Sequence, residues 1–128
     1  MGFRKIEDIN AWKESRKLVG IVYSKTRKGN MAKDFGFQDQ IQRAAVSIMS
    51  NIAEGFGSSS SAAFSRYLGY SRGSVYEVIS LLYAGKDIGY LNSEEFSQAF
   101  NQAKKVLGLV SGLRSSLNKT KKERLPGR

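Results

Sequence analysis

Arg43, Ser47, Asn51 and Glu54 recur three or four residues apart within a stretch that is otherwise apolar. On a helix turning about 100° per residue they fall on one strip about 80° wide. An arginine, a hydroxyl, an amide and a carboxylate on one strip could bind a polar ligand or move a proton. They could equally form a hydrogen-bonded seam between helices or subunits. Ser74 and Glu77 make a second polar pair further along the chain. If the chain folds back at the serine run 58–61, Glu77 comes level with Arg43 and supplies the carboxylate that a buried guanidinium requires. The seam is the favoured reading, because nothing nearby offers an activated nucleophile or a metal cluster.

The composition narrows the chemistry further. The 128 residues include no cysteine and no histidine. Thiolate chemistry, disulfides, Ser-His and Cys-His catalysis and the common zinc sites are thereby excluded. No calcium loop, phosphate loop or dinucleotide fingerprint occurs. Glu94-Glu95, Asp34 and Asp39 sit where acids favour a helix start. No catalytic residue, metal or cofactor is expected, and the chain reads as a non-enzyme.

Charge is the strongest global signal. The net charge is +10, and it gathers at both ends of the chain: residues 1–33 hold nine Lys/Arg against three acids, and residues 92–128 hold eight against three. Such a surface suits a polyanion, most simply nucleic acid. The candidate phosphate contacts are Lys13, Lys17, Lys25, Arg27 and Lys28 near the start, and Lys104, Lys105 and Arg114 near the end. Tyr70, Tyr76 and Tyr83, with Arg66 and Arg72 close by, could stack bases or build a protein interface, and the interface is favoured.

These residues need elements to position them, and the apolar spacing predicts four helices and no strand. The first covers about Ile9 to Lys28, with Asp8 as its cap and Trp12, Val19, Val22, Tyr23 and Thr26 on its inner side. The second covers about Gln38 to Glu54 and stops at Gly55-Phe56-Gly57. Phe37, Ile41, Ala44, Ala45, Ile48, Ile52 and Phe56 form its broad apolar face, and Val46, Met49 and Ala53 a weaker one. A helix apolar nearly all round implies a neighbour from another chain. The third covers Ser61 to Asp87 behind a serine cap. The fourth opens on a capping box at Asn92 and Glu95 and continues to about Asn118. Residues 1–118 are thus expected to form an all-α, antiparallel up-down four-helix bundle. Residues 119–128 are expected to form a basic, disordered tail. In that topology the first and fourth helices are neighbours, and their cations merge into one surface.

No run is long enough for a membrane span, and the first residues lack a signal peptide's apolar segment, so a cytoplasmic protein is expected.

The segment IQRAAVSIMSNIAEGFG, residues 41–57, with Trp12, FSRYLGYSRGSVYEV and DIGYLNSEEF, resembles a bacterial family encoded within intervening sequences of 23S ribosomal RNA genes. The resemblance covers nearly the whole domain. It implies a left-handed four-helix bundle and a homo-oligomer, a ring-shaped homopentamer. Met49 stands where relatives carry proline, and the serine run replaces a commonly charged loop. Related bundles serve as accessory factors to the reverse transcriptases of diversity-generating retroelements, binding nucleic acid and the polymerase. The leading reading is an oligomeric bundle that binds nucleic acid, RNA before DNA. Its rival is a protein–protein adaptor that docks a polymerase or other acidic partner.

Overall fold

The computed structural model describes residues 2–123, and the side chains of residues 2–119. Four helices carry the fold: α1 (Asn10–Thr26), α2 (Phe35–Phe56), α3 (Ser61–Asp87) and α4 (Ser93–Glu123), with short 3-10 turns at Ile6–Asp8 and Gly29–Lys33 and no strand among the described residues. They pack as a four-helix bundle around one core. Leu18, Ile48, Ile52, Leu68, Val75, Val78, Val106 and Val110 are wholly removed from solvent there. None of the described helices is long and apolar enough to cross a membrane.

The helix starts show how local chemistry sets the boundaries. Ser60 accepts from the Ala63 amide at 3.1 Å and opens α3 where the serine run predicts. Asn92 and Glu95 exchange backbone bonds at 2.8 and 3.0 Å, the expected capping box. Asp34 accepts from the Phe37 amide at 3.1 Å, so α2 begins at Phe35, ahead of the expected Gln38. Asp8 departs from its expected role. Its carboxylate receives the Arg4 and Lys5 amides and closes the preceding 3-10 turn, leaving α1 to start after Ile9 with no side-chain cap. At the other end α4 continues past Asn118 to Glu123, and residues 124–128 of the expected tail lie outside the described residues.

Register follows from contacts between helices. Ser47 meets Ser74, and Ser71 donates to the Ile48 carbonyl at 2.8 Å, so numbers rise on α2 as they fall on α3. Gly55 lets the two helices meet closely, since a Cβ there would lie 2.8 Å from Phe64 Cδ1 and from Tyr67 Cβ. On α3 and α4, Tyr83 pairs with Phe96 and Ser65 with Asn118, again in opposite order. The turn between them passes through Gly89 at φ +86°, a left-handed conformation that suits glycine. The Tyr90 hydroxyl donates to Asp34 Oδ2 at 2.6 Å and ties that turn to the start of α2. With the Phe37 amide it holds the Asp34 carboxyl below its ordinary range, and the same bond pushes the Tyr90 hydroxyl up.

One core line is rotated from expectation. α1 buries Ala11, Ser15, Leu18, Val22 and Thr26, while Trp12, Val19 and Tyr23 are only half-buried. Leu18 and Val22 supply the large side chains of this buried line and Ala11 and Ser15 the small ones, while Trp12, Val19 and Tyr23 sit at the margins with one edge in water. The buried hydroxyls are satisfied: Ser15 donates to the Ala11 carbonyl at 2.6 Å, and Thr26 Oγ1 donates to the Tyr23 carbonyl at 3.4 Å and receives the Gln42 amide from α2 at 2.9 Å.

Candidate nucleic-acid interface

The basic face is built where α1 lies beside α4. Lys13, Lys17 and Arg16 are exposed on α1, and Lys104 and Lys105 are exposed on α4. Glu14 is the acid within the helical span of α1, and α4 has none between Glu95 and Glu123. Glu14 is turned inward, its side chain 12 % exposed, with Lys17 Nζ at 2.9 Å and Lys105 Nζ at 3.1 Å. The Gln102 amide donates to the Glu14 backbone carbonyl at 2.9 Å and to its Oε1 at 3.2 Å. Hydrogen bonds from Lys17, then Gln102 and Lys105, outweigh partial burial and lower the Glu14 carboxyl to about 2. One carboxylate therefore joins the two helices and holds two ammonium groups at their shared rim.

The other expected phosphate contacts are less uniform. Lys25 is half-buried and donates to Gln98 Oε1 at 2.6 Å, again bridging α1 to α4. Arg27 is exposed and lies 5.3 Å from the Tyr23 ring centroid, and Lys28 is exposed beyond the end of α1. Arg114 belongs to a different contact. Its Nε donates to the Ser65 carbonyl at 3.1 Å, and its guanidinium lies over Gly69, where a Cβ would come 3.0 Å from Cζ. At its helical position Arg114 turns toward α3, and it pins α4 there.

The polar stripe of α2 divides in two. Ser47 shares a 2.9 Å bond with Ser74, and the Asn51 amide donates to the Ser47 carbonyl at 2.9 Å and to its hydroxyl at 3.1 Å. This half is a neutral seam between α2 and α3. Arg43 and Glu54 point outward instead. Arg43, 80 % exposed, pairs with Asp39 at 2.8 Å one turn away and not with Glu77 as expected. Outward orientation places the neighbouring turn of its own helix within easier reach than α3. Glu77 receives the Gln40 amide at 3.4 Å.

A third feature was only half visible in the sequence. Along α3 and α4 the rings of Tyr83, Phe96 and Phe100 cluster with centroids 5.0–5.8 Å apart. Lys86 Nζ lies 4.7 Å from the Phe96 centroid and Lys104 Nζ 6.0 Å from that of Phe100. About two turns away along α3, Arg72 lies 5.2 Å from the Tyr76 centroid and donates to Ser111 Oγ at 3.2 Å. The missed partners, Phe96, Phe100, Lys86 and Ser111, were readable only as core or surface until the register of α3 on α4 was known. Glu14 and Gln102 were missed for the same reason.

Comparison with known proteins agrees with this architecture. The family described as 23S rRNA-intervening sequence protein matches residues 7–112. A crystal structure described as a protein of unknown function from the S23 ribosomal protein family of Bacteroides thetaiotaomicron VPI-5482 is similar in fold, with a TM-score of 0.74 and 21 % identity. The match covers 81 % of this chain and 97 % of that one. No curated protein gives a significant match.

Proposed function

The chain belongs to the 23S rRNA-intervening sequence protein family, and from that premise we propose that it is a non-enzymatic, oligomeric bundle that binds RNA, or failing that DNA, through the joined faces of α1 and α4. The supporting observation is the arrangement at Glu14: the acid of α1 is drawn inward, and Lys13, Arg16, Lys17, Lys104 and Lys105 are left toward solvent. Lys25, Arg27 and Lys28 extend the surface, and Arg114 acts by positioning α4. Phosphate contacts of this kind release counterions, so binding weakens steeply with salt.

Self-association is the second part of the proposal. Phe35 is 76 % exposed on the outer side of α2, and Val46, Met49 and Ala53 are left partly open beside it. Arg43, Glu54 and Glu77 flank that side and would set the register between protomers, with Ser47, Asn51 and Ser74 holding α2 to α3 behind them. A ring of five is the proposed assembly.

Filter binding of a folded RNA at rising salt tests the first part, and light-scattering mass of the purified chain tests the second. The proposal expects affinity at low salt that falls sharply by physiological ionic strength, and a mass several times that of one chain. Absence of salt-dependent affinity would remove the nucleic-acid reading. Charge reversals on α1 that abolish capture of an acidic protein and leave RNA binding unchanged would select the adaptor instead.

A further inference from the structure

The face between α3 and α4 has a composition unlike the rest of the surface. Tyr76 and Tyr83 are 47 % and 48 % exposed. They lie seven residues apart, about 10 Å along one side of α3 at the α-helical rise. Tyr83 is braced from behind by Phe96 and Phe100, so its ring is held and not free to swing. Arg72, Lys86 and Lys104 sit against aromatic rings, and among the described residues none of these three forms an ion pair. A cation lodged on a ring keeps its charge available to a phosphate, while a ring edge or face remains for something flat.

The surface beside these rings is low. Gly108 and Gly112 on α4 have nothing within 4 Å of where a Cβ would stand. The backbone of α4 is therefore open to close approach between the tyrosines on one side and the Glu14 rim, with Lys17 and Lys105, on the other. Rings at helical spacing, cations without carboxylates and an open strip beside them form the combination that holds unpaired nucleotides: stacking takes the bases, and charge takes the backbone. An acidic protein would satisfy the cations and pack on the rings, but the open strip of α4 backbone between the rings and the Glu14 rim favours a chain of alternating bases and phosphates. A duplex hides its base faces and would use the cations alone.

We infer that α3 and α4 form a stacking platform for the unpaired bases of a single-stranded nucleic acid, whose phosphates run along α4 toward the α1 rim. The inference rests on the nucleic-acid reading above and deepens it, by naming the single strand and the residues that meet its bases.

The test compares an oligouridine of about twelve nucleotides with a duplex RNA of equal length, by fluorescence anisotropy at several salt concentrations on the full chain. The single strand should bind more tightly than the duplex. Tyr76→Ala should weaken single-strand binding about tenfold without changing its salt slope. Tyr76→Phe and Tyr83→Phe, which keep the rings and the fold, should bind as the parent does. Photocrosslinking of a bromouridine strand to the unaltered chain should label peptides carrying Tyr76 or Tyr83. Equal binding of strand and duplex, together with an unaffected Tyr76→Ala, would overturn the platform. If Lys13→Gln/Lys105→Gln still weakened both ligands in that case, the phosphate-binding surface would survive it. Crosslinks confined to α1, or loss of an acidic protein partner but not of oligouridine in Tyr76→Ala, would also overturn the platform. Failure of the unaltered chain to bind either nucleic acid would remove both readings.

Discussion

The α2–α3 contact and the α1–α4 contact use polar residues in opposite ways. Between α2 and α3 the inward polar groups are neutral: Ser47 to Ser74, Ser71 to the Ile48 carbonyl, with Gly55 allowing contact at the far end and a charged contact, Gln40 to Glu77, on the exposed margin. Between α1 and α4 the link is ionic, one buried-side carboxylate shared by Lys17 and Lys105. The first arrangement fixes register and offers little to a ligand. The second fixes register too, and it does so by pulling the negative charge in and leaving positive charge at the rim. A polar residue on a bundle helix is thus informative only when its direction is known.

Breaking the neutral contact should have the largest effect on stability. Gly55→Val forces a side chain against Phe64 and Tyr67 and should cost about 3 kcal/mol, read as a lowered midpoint in chemical denaturation. A melt within experimental error of the parent would show that α2 and α3 can part there without strain.

Glu14→Gln separates the two roles of the ionic contact. It should cost about 2 kcal/mol at neutral pH while raising RNA affinity, because Lys17 and Lys105 are released. The folded carboxyl lies below its ordinary value of 4.5, at about 2. Its stabilising contribution is therefore complete above about 4.5 and is lost as pH falls toward about 2, and the Gln variant should lack that part of the acid dependence. A variant that is both less stable and weaker for RNA would contradict the division of roles.

A smaller change sharpens the α2–α3 side. Ser71→Ala removes a hydroxyl bonded to a carbonyl that is already paired within its own helix, and should cost about 1 kcal/mol by thermal melt, with RNA binding untouched. Arg43→Ala should change monomer stability by less than about 0.5 kcal/mol, since its pair with Asp39 is exposed. Its effect on the mass of the assembly reads the proposed protomer contact separately.

Much of this comparison was legible in the chain. The start of α3 followed from the cap in the serine run, and the start of α4 from Asn92 and Glu95, because these signals are local. The inner line of α1 was misjudged because bulky Trp12, Val19 and Tyr23 outweighed Ala11 and Ser15 in an apolar count. The buried line instead runs through Ala11, Ser15, Leu18, Val22 and Thr26. Arg43 was assigned to Glu77 on level alone, without regard to the outward direction of its side chain. Arg114 was grouped with the basic face although its helical position turns it to α3. Glu14 escaped notice because its partners Gln102 and Lys105 lie on a helix far along the chain, and the local Glu14–Lys17 spacing is common on any surface helix.

The salt dependence of RNA affinity, compared between the parent chain and Lys13→Gln/Lys105→Gln, tests the basic α1–α4 face most directly. Two lost phosphate contacts should flatten the log–log slope by about 1.5, with a lowered melting temperature because Lys105 also pairs with Glu14. An identical slope in parent and variant would contradict the account, because phosphates would then be meeting some other part of the molecule.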